Sequence, residues 1–141
     1  MNHQTGKLIL ISGPSGTGKS TVISRLMHLR DDVCFSVSAT TRAPRPGEVD
    51  GEDYFFVTRA AFDAMVAADE LLEHAEYVGN CYGTPKSYVE HCCAEGMHVL
   101  LDIDVQGVHQ ISEKRPDAIR VFMMPPSFAV NTRLRLFSLL P

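Results

Sequence analysis

The stretch GPSGTGKST, Gly13 to Thr21, limits what this chain can fold into more than any other. It follows KLILIS (7–12), a short apolar run of the kind that forms a buried parallel strand. It precedes a segment in which Val22, Ile23, Leu26 and Leu29 recur at helical spacing. Gly13, Gly18, Lys19 and Ser20 satisfy G-x-x-x-x-G-K-[ST] in the strand–loop–helix setting that gives the pattern meaning. Each residue type has a chemical reason. Glycines let backbone N–H groups wrap a β-phosphate closely, Lys19 brings a mobile point charge to the β/γ oxygens, and Ser20 offers a hydroxyl to Mg²⁺. The whole run of Gly13, Pro14, Ser15, Gly16, Thr17, Gly18, Lys19, Ser20 and Thr21 is therefore a candidate cradle for a nucleoside triphosphate with Mg²⁺. Strand, loop and helix are also half of a βαβ unit, so the fold class is α/β, a P-loop NTPase-type parallel sheet flanked by helices.

The rest of the chain keeps that rhythm with one interruption. VCFSVS (33–38) reads as a strand, after which a proline- and glycine-marked stretch breaks the alternation. YFFV (54–57) then reads as a strand, AAFDAMVAAD (60–69) as a helix and LLEHAEYV (71–78) as an extended return. This places a small inserted α+β region at 39–84 within a single 1–141 domain. The main pattern resumes with a helix over 85–96 started by Pro85, a strand at 98–104, a helix at 105–114 and a strand at 118–124.

At 141 residues and 45% hydrophobic content the chain suits one compact core rather than two ordinary domains. Its 13 basic against 17 acidic side chains argue against a nucleic-acid binder with a broad cationic face, so any positive site must be local. Cys34, Cys81, Cys92 and Cys93 follow no zinc-ligand spacing, and the vicinal pair cannot easily bridge, which suggests reduced cytoplasmic thiols. The opening apolar run is too short for a signal sequence or a membrane span, so a soluble cytoplasmic protein with no membrane partner is expected. HCC (91–93) on a helix reads as packing rather than as a metal site.

A local positive site does exist in TTRAPRPGEVDGEDYFF (40–56). Arg42 and Arg45 offer planar forks of donors suited to a phosphate, and Tyr54 adds a donor on a rigid arm. Read alone, the same arginines could pair with Glu48, Asp50 or Glu52 in a solvated loop. LLDID puts Asp102 and Asp104 at the carboxyl end of a buried strand, where ligands collect in open α/β sheets. Asp102 suits Mg²⁺ alongside Ser20; Asp104 could equally cap the helix that begins at Val105. A triphosphate loop and a separate arginine-bearing insertion together suggest a donor and an anionic acceptor.

ISGPSGTGKST, FSVSATTRAPRPGEVDGEDYFFV, LLEHAEYVGNCYGTP, LLDIDVQG and VFMMPPS, in that order and spacing, closely resemble the guanylate kinase family over roughly residues 7 to 128. The resemblance implies a P-loop nucleoside-monophosphate kinase that transfers phosphate from ATP to GMP. By it Arg42, Arg45, Tyr54 and Tyr82 would hold the GMP phosphate with Ser38 nearby, and Glu73, Thr84 and Asp104 would read the guanine. Lys19 and Arg42 would be the catalytic cations. Thr84 stands where many family members have serine, which keeps the hydroxyl. The base assignment also makes chemical sense, because guanine's N1–H and N2 amino donors suit a carboxylate and adenine's N1 acceptor repels it.

After PPSF the family pattern calls for an arginine-bearing lid and further helices, but this chain reads AVNTRLRLFSLLP, with Val130, Leu134 and Phe137 spaced for one helical face. That ending looks like a truncation or an altered reading frame, so weak turnover is expected; Arg133 and Arg135 receive no role. The rival readings are a guanylate-kinase-like protein-interaction module without catalysis, against which the intact P-loop argues, and a P-loop kinase for another anionic acceptor.

Overall fold

The computed structural model describes residues 4–125 and the backbone of 135–138. The chain forms two compact units, Met1–Phe35 with Cys92–Pro141, and Ser36–His91.

The first unit is built on β1 (Leu8–Ser12). Leu8, Leu10 and Ile11 of this strand are almost fully buried. That burial explains the apolar run LILI: β1 is a central strand with parallel neighbours on both edges, and strands of such sheets are covered on both faces, so side chains pointing either way must be apolar. α1 (Lys19–Leu29) follows the glycine loop, β2 (Val33–Phe35) forms one edge, and β7 (His98–Asp102), α4 (Val105–Lys114) and β8 (Ile119–Met124) complete the α/β rhythm. The sheet order is β2-β7-β1-β8-β9, where β9 (Arg135–Ser138) runs antiparallel to β8 and the other four strands are parallel. Ile11, Ile23, Leu100 and Met123 form its core, with Val22 and Leu26 packed against them. Leu29, grouped with these by spacing, is instead 66% exposed at the last residue of α1.

The second unit has its own four-stranded sheet, β4-β3-β6-β5. β3 (Ser38–Thr40) pairs parallel with β4 (Tyr54–Phe56) and antiparallel with β6 (Asn80–Pro85), which in turn pairs antiparallel with β5 (Leu71–Tyr77). α2 (Arg59–Ala67) starts at Thr58, whose hydroxyl accepts from the Ala61 N–H, and buries Phe62 against Ala39, Leu71 and Cys81. α3 (Lys86–Ala94) follows β6.

Four sequence readings change. The run 33–38 is not one strand, since β2 and β3 lie in different sheets with Ser36 and Val37 between them. β6 has no local signal in the sequence: Gly83 and Pro85 lower its strand propensity, and its pairing with β3 and β5 overrides that. Pro85 consequently ends β6 rather than opening the next helix. Phe137 lies in β9, not on a helical face, while Val130 and Leu134 fall outside the described residues.

Candidate functional site

In the first unit the loop between β1 and α1 is shaped by backbone constraint. Gly13 has φ +145, and a Cβ there would collide with the Met123 carbonyl, so the loop can leave the sheet this closely only without a side chain. Gly18 is left-handed, with φ 83, and turns the chain into α1 without any side-chain cap. Thr17 is buried and its hydroxyl donates to the Pro14 carbonyl at 2.9 Å, bracing the loop from inside. The first-turn N–H groups of α1 at Lys19, Ser20 and Thr21 precede the first intrahelical bond, from the Val22 N–H to the Gly18 carbonyl. With no acidic residue in that turn, the helix terminus suits an anion.

Lys19 reaches back over the loop. Its Nζ donates to the Gly13 carbonyl at 2.8 Å and sits 3.4 Å from Asp102 Oδ1, with both side chains partly shielded. Ser20 and Asp102 line one cavity of about 340 Å³ with Ile23, Met27 and Phe35. Asp104 caps α4 by accepting from the Gly107 N–H at 2.8 Å, which is the local role its position allows. Among the described residues no cluster of three or more His, Cys, Asp and Glu could hold a metal.

The second unit gathers the remaining candidates, Asp104 apart, on one small sheet and in the segment that joins β3 to β4. Register sets Ser38 beside Tyr54 across the β3–β4 pair and Thr40 beside Tyr82 across the β3–β6 pair. The Tyr54 and Tyr82 rings meet edge to face at 6.2 Å between centroids. Arg42 lies against them, its guanidinium carbon 5.2 Å from the Tyr54 ring centre and 5.9 Å from that of Phe56. Sequence reading does not single out Phe56, although its two-residue spacing from Tyr54 on a strand puts both rings on one face.

Glu48 is the carboxylate that Arg42 selects. Nη1 and Nη2 donate to its two oxygens at 3.0 and 2.9 Å, and the Arg45 N–H adds a third bond at 2.7 Å. The Arg42 hydrogen bond, then that from Arg45, hold the Glu48 carboxyl down to about 2, while the same pairing raises Arg42. Asp50 and Asp53 are used elsewhere, accepting from the backbone of Phe56 and Val49. Arg45 thus contributes its backbone, and its side chain lies on an exposed residue. On the far side of the sheet order, Glu73 Oε1 accepts from the fully buried Thr84 hydroxyl at 2.7 Å, a charge-assisted contact that fixes one carboxylate oxygen.

A family profile described as guanylate kinase matches residues 5–136. The guanylate kinase of Trichodesmium erythraeum (strain IMS101) is 52% identical over 126 residues, covering 89% of this chain and 68% of its own length. That of Koribacter versatilis (strain Ellin345) is 54% identical over 123 residues, covering 87% of this chain and 53% of its own. A crystal structure of guanylate kinase from Anaplasma phagocytophilum superposes with a TM-score of 0.67 at 40% identity, over 88% of this chain and 63% of that one. The chain therefore spans between 53% and 68% of the length of these relatives.

Proposed function

The chain belongs to the guanylate kinase family, and on that footing we propose that it phosphorylates GMP with ATP, yielding GDP and ADP by in-line transfer. One observation carries this reading: a single small unit holds both an arginine, just beyond β3, packed on the rings of Tyr54 and Phe56 and a carboxylate oriented by a buried hydroxyl. The first suits a phosphate and the second suits guanine's paired N–H donors.

In this reading Ser36–His91, including the stretch 39–84, is the acceptor unit and the glycine loop serves the donor. Arg42, Arg45, Tyr54 and Tyr82 hold the monophosphate with Ser38, and Glu73 and Thr84 address the base. The loop N–H groups cradle the triphosphate, and Lys19 trades its bond with Gly13 for the β/γ oxygens. Ser20 and Asp102 would hold Mg²⁺, because both carry hard oxygen donors, both residues border one cavity, and Mg²⁺ is commonly held by one or two carboxylates plus substrate phosphates. When bound, that ion offsets the charge on the phosphate oxygens. No protein nucleophile is required: the acceptor phosphate oxygen attacks, and the side chains orient it and balance charge.

Cys34, Cys81, Cys92 and Cys93 are free thiols, which supports a cytoplasmic setting, and conversion of GMP to GDP would be a step of purine nucleotide metabolism. Among the described residues no helix is long and apolar enough to cross a membrane. Calorimetry with GMP, AMP, CMP and UMP, together with a coupled assay for ADP formation, tests the proposal. Preferential binding of GMP and ADP release that depends on GMP are expected. Equal affinity for AMP would overturn it.

A further inference from the structure

The pairing of Arg42 with Glu48 has a directional consequence. A guanidinium presents two forks of N–H donors, one at its end and one along its side. Glu48 takes the end fork, through Nη1 and Nη2, and the Ala43 carbonyl accepts the other Nη1 proton at 2.9 Å. The donors left are those of the side fork, on Nε and the outer proton of Nη2. Among the described residues no carboxylate accepts from them. The Tyr82 hydroxyl faces the same guanidinium, and the rings of Tyr54 and Phe56 flank it. Glu48 is itself pinned by the Arg45 N–H, in a turn closed by the Glu48 N–H bonding to the Arg45 carbonyl.

Resting on the GMP kinase reading above, we propose that Glu48 is a positioning residue: it clamps the end fork of Arg42 so that the side fork is presented, already oriented, to the acceptor's phosphate. A carboxylate here does not compete with the ligand, since it uses a different, adjacent edge of the cation and other protons. It also removes the rotamer freedom that a free arginine would lose on binding, and pre-organisation of this kind appears as affinity.

Calorimetry on the full chain with GMP and with guanosine tests this. In Glu48→Gln the amide offers one acceptor and turns a donor toward Arg42, so the clamp is lost. GMP affinity is expected to fall about tenfold, the scale of one charge-assisted hydrogen bond. Guanosine carries no phosphate, and its affinity is expected to stay within about twofold, which also shows that the variant is folded. In an Arg42→Lys background the ammonium has no edge to orient, so Glu48→Gln is expected to add less than about twofold. Unchanged or tighter GMP binding by Glu48→Gln overturns the proposal, as does equal loss of guanosine affinity or full additivity with Arg42→Lys. If the unaltered chain binds no GMP, the kinase reading fails, and this inference fails with it.

Discussion

Replacing Thr84 with valine is the sharpest test of the carboxylate arrangement. Valine nearly matches the shape of threonine while deleting the hydroxyl that donates to Glu73 Oε1 at 2.7 Å. Thr84 is completely buried, so no water takes the place of that hydroxyl without rearrangement, whereas Glu73 is only partly buried and can recruit solvent. Hydrogen bonds to charged groups contribute about 1.5–3 kcal/mol. Partial solvent replacement at Glu73 puts the effect at the low end, about 1.5 kcal/mol, or roughly tenfold in affinity if the bond serves to hold the carboxylate toward guanine. Folding stability should change less, by about 1 kcal/mol or under, because the variant also no longer buries a hydroxyl. Calorimetry should therefore show GMP affinity reduced about tenfold in Thr84→Val, AMP affinity unchanged, and Thr84→Ser within about twofold of the original. A valine variant that binds GMP normally would refute the reasoning. So would a serine variant as weak as the valine one, which would point to the methyl group instead of the hydroxyl.

Lys19→Ala should weaken ATP binding by about tenfold or more, measured by calorimetry, with little change for GMP, because Lys19 belongs to a different compact unit from Arg42 and Glu73. Val78 is β-branched at φ +49 on an exposed hairpin tip beside Gly79, so Val78→Asn should raise stability by about 1 kcal/mol in urea denaturation. Glu48 has its folded value depressed from 4.5 to about 2, so the stability it contributes is fully present above about pH 5 and is lost as pH falls through about 2. The melting temperature of the unaltered chain should accordingly converge on that of Glu48→Gln across that window. The Cys34 thiol, pushed up to about 12 chiefly by burial and then by Cys92, should react slowly with iodoacetamide at pH 8 in the native state, as mass spectrometry would show.

What was legible from sequence alone is what is encoded within a few consecutive residues. The strand, glycine loop and helix from Leu8 to Leu29 announce themselves because phosphate cradling demands contiguous backbone N–H groups, with glycine where φ is positive. Helix α4 was legible over its full length because Asp104, the apolar spacing and the basic end at Lys114 are all local signals. Both readings of Asp104 could be written from sequence, and its cap bond to Gly107 is visible only in three dimensions. Tertiary structure alone decided the rest. The run at 33–38 divides between two sheets because pairing partners, β7 for one half and β4 and β6 for the other, determine where a strand goes, and no local propensity carries that information. β6 forms despite Gly83 and Pro85 for the same reason. Three acidic residues near Arg42 are equivalent on paper, and Glu48 takes it because a turn closed by its own N–H on the Arg45 carbonyl swings that carboxylate onto the guanidinium while Asp50 is spent on the Phe56 N–H. Local chemistry prescribes which groups a chain can offer; only the fold's closure of distances between residues remote in sequence determines which of them meet.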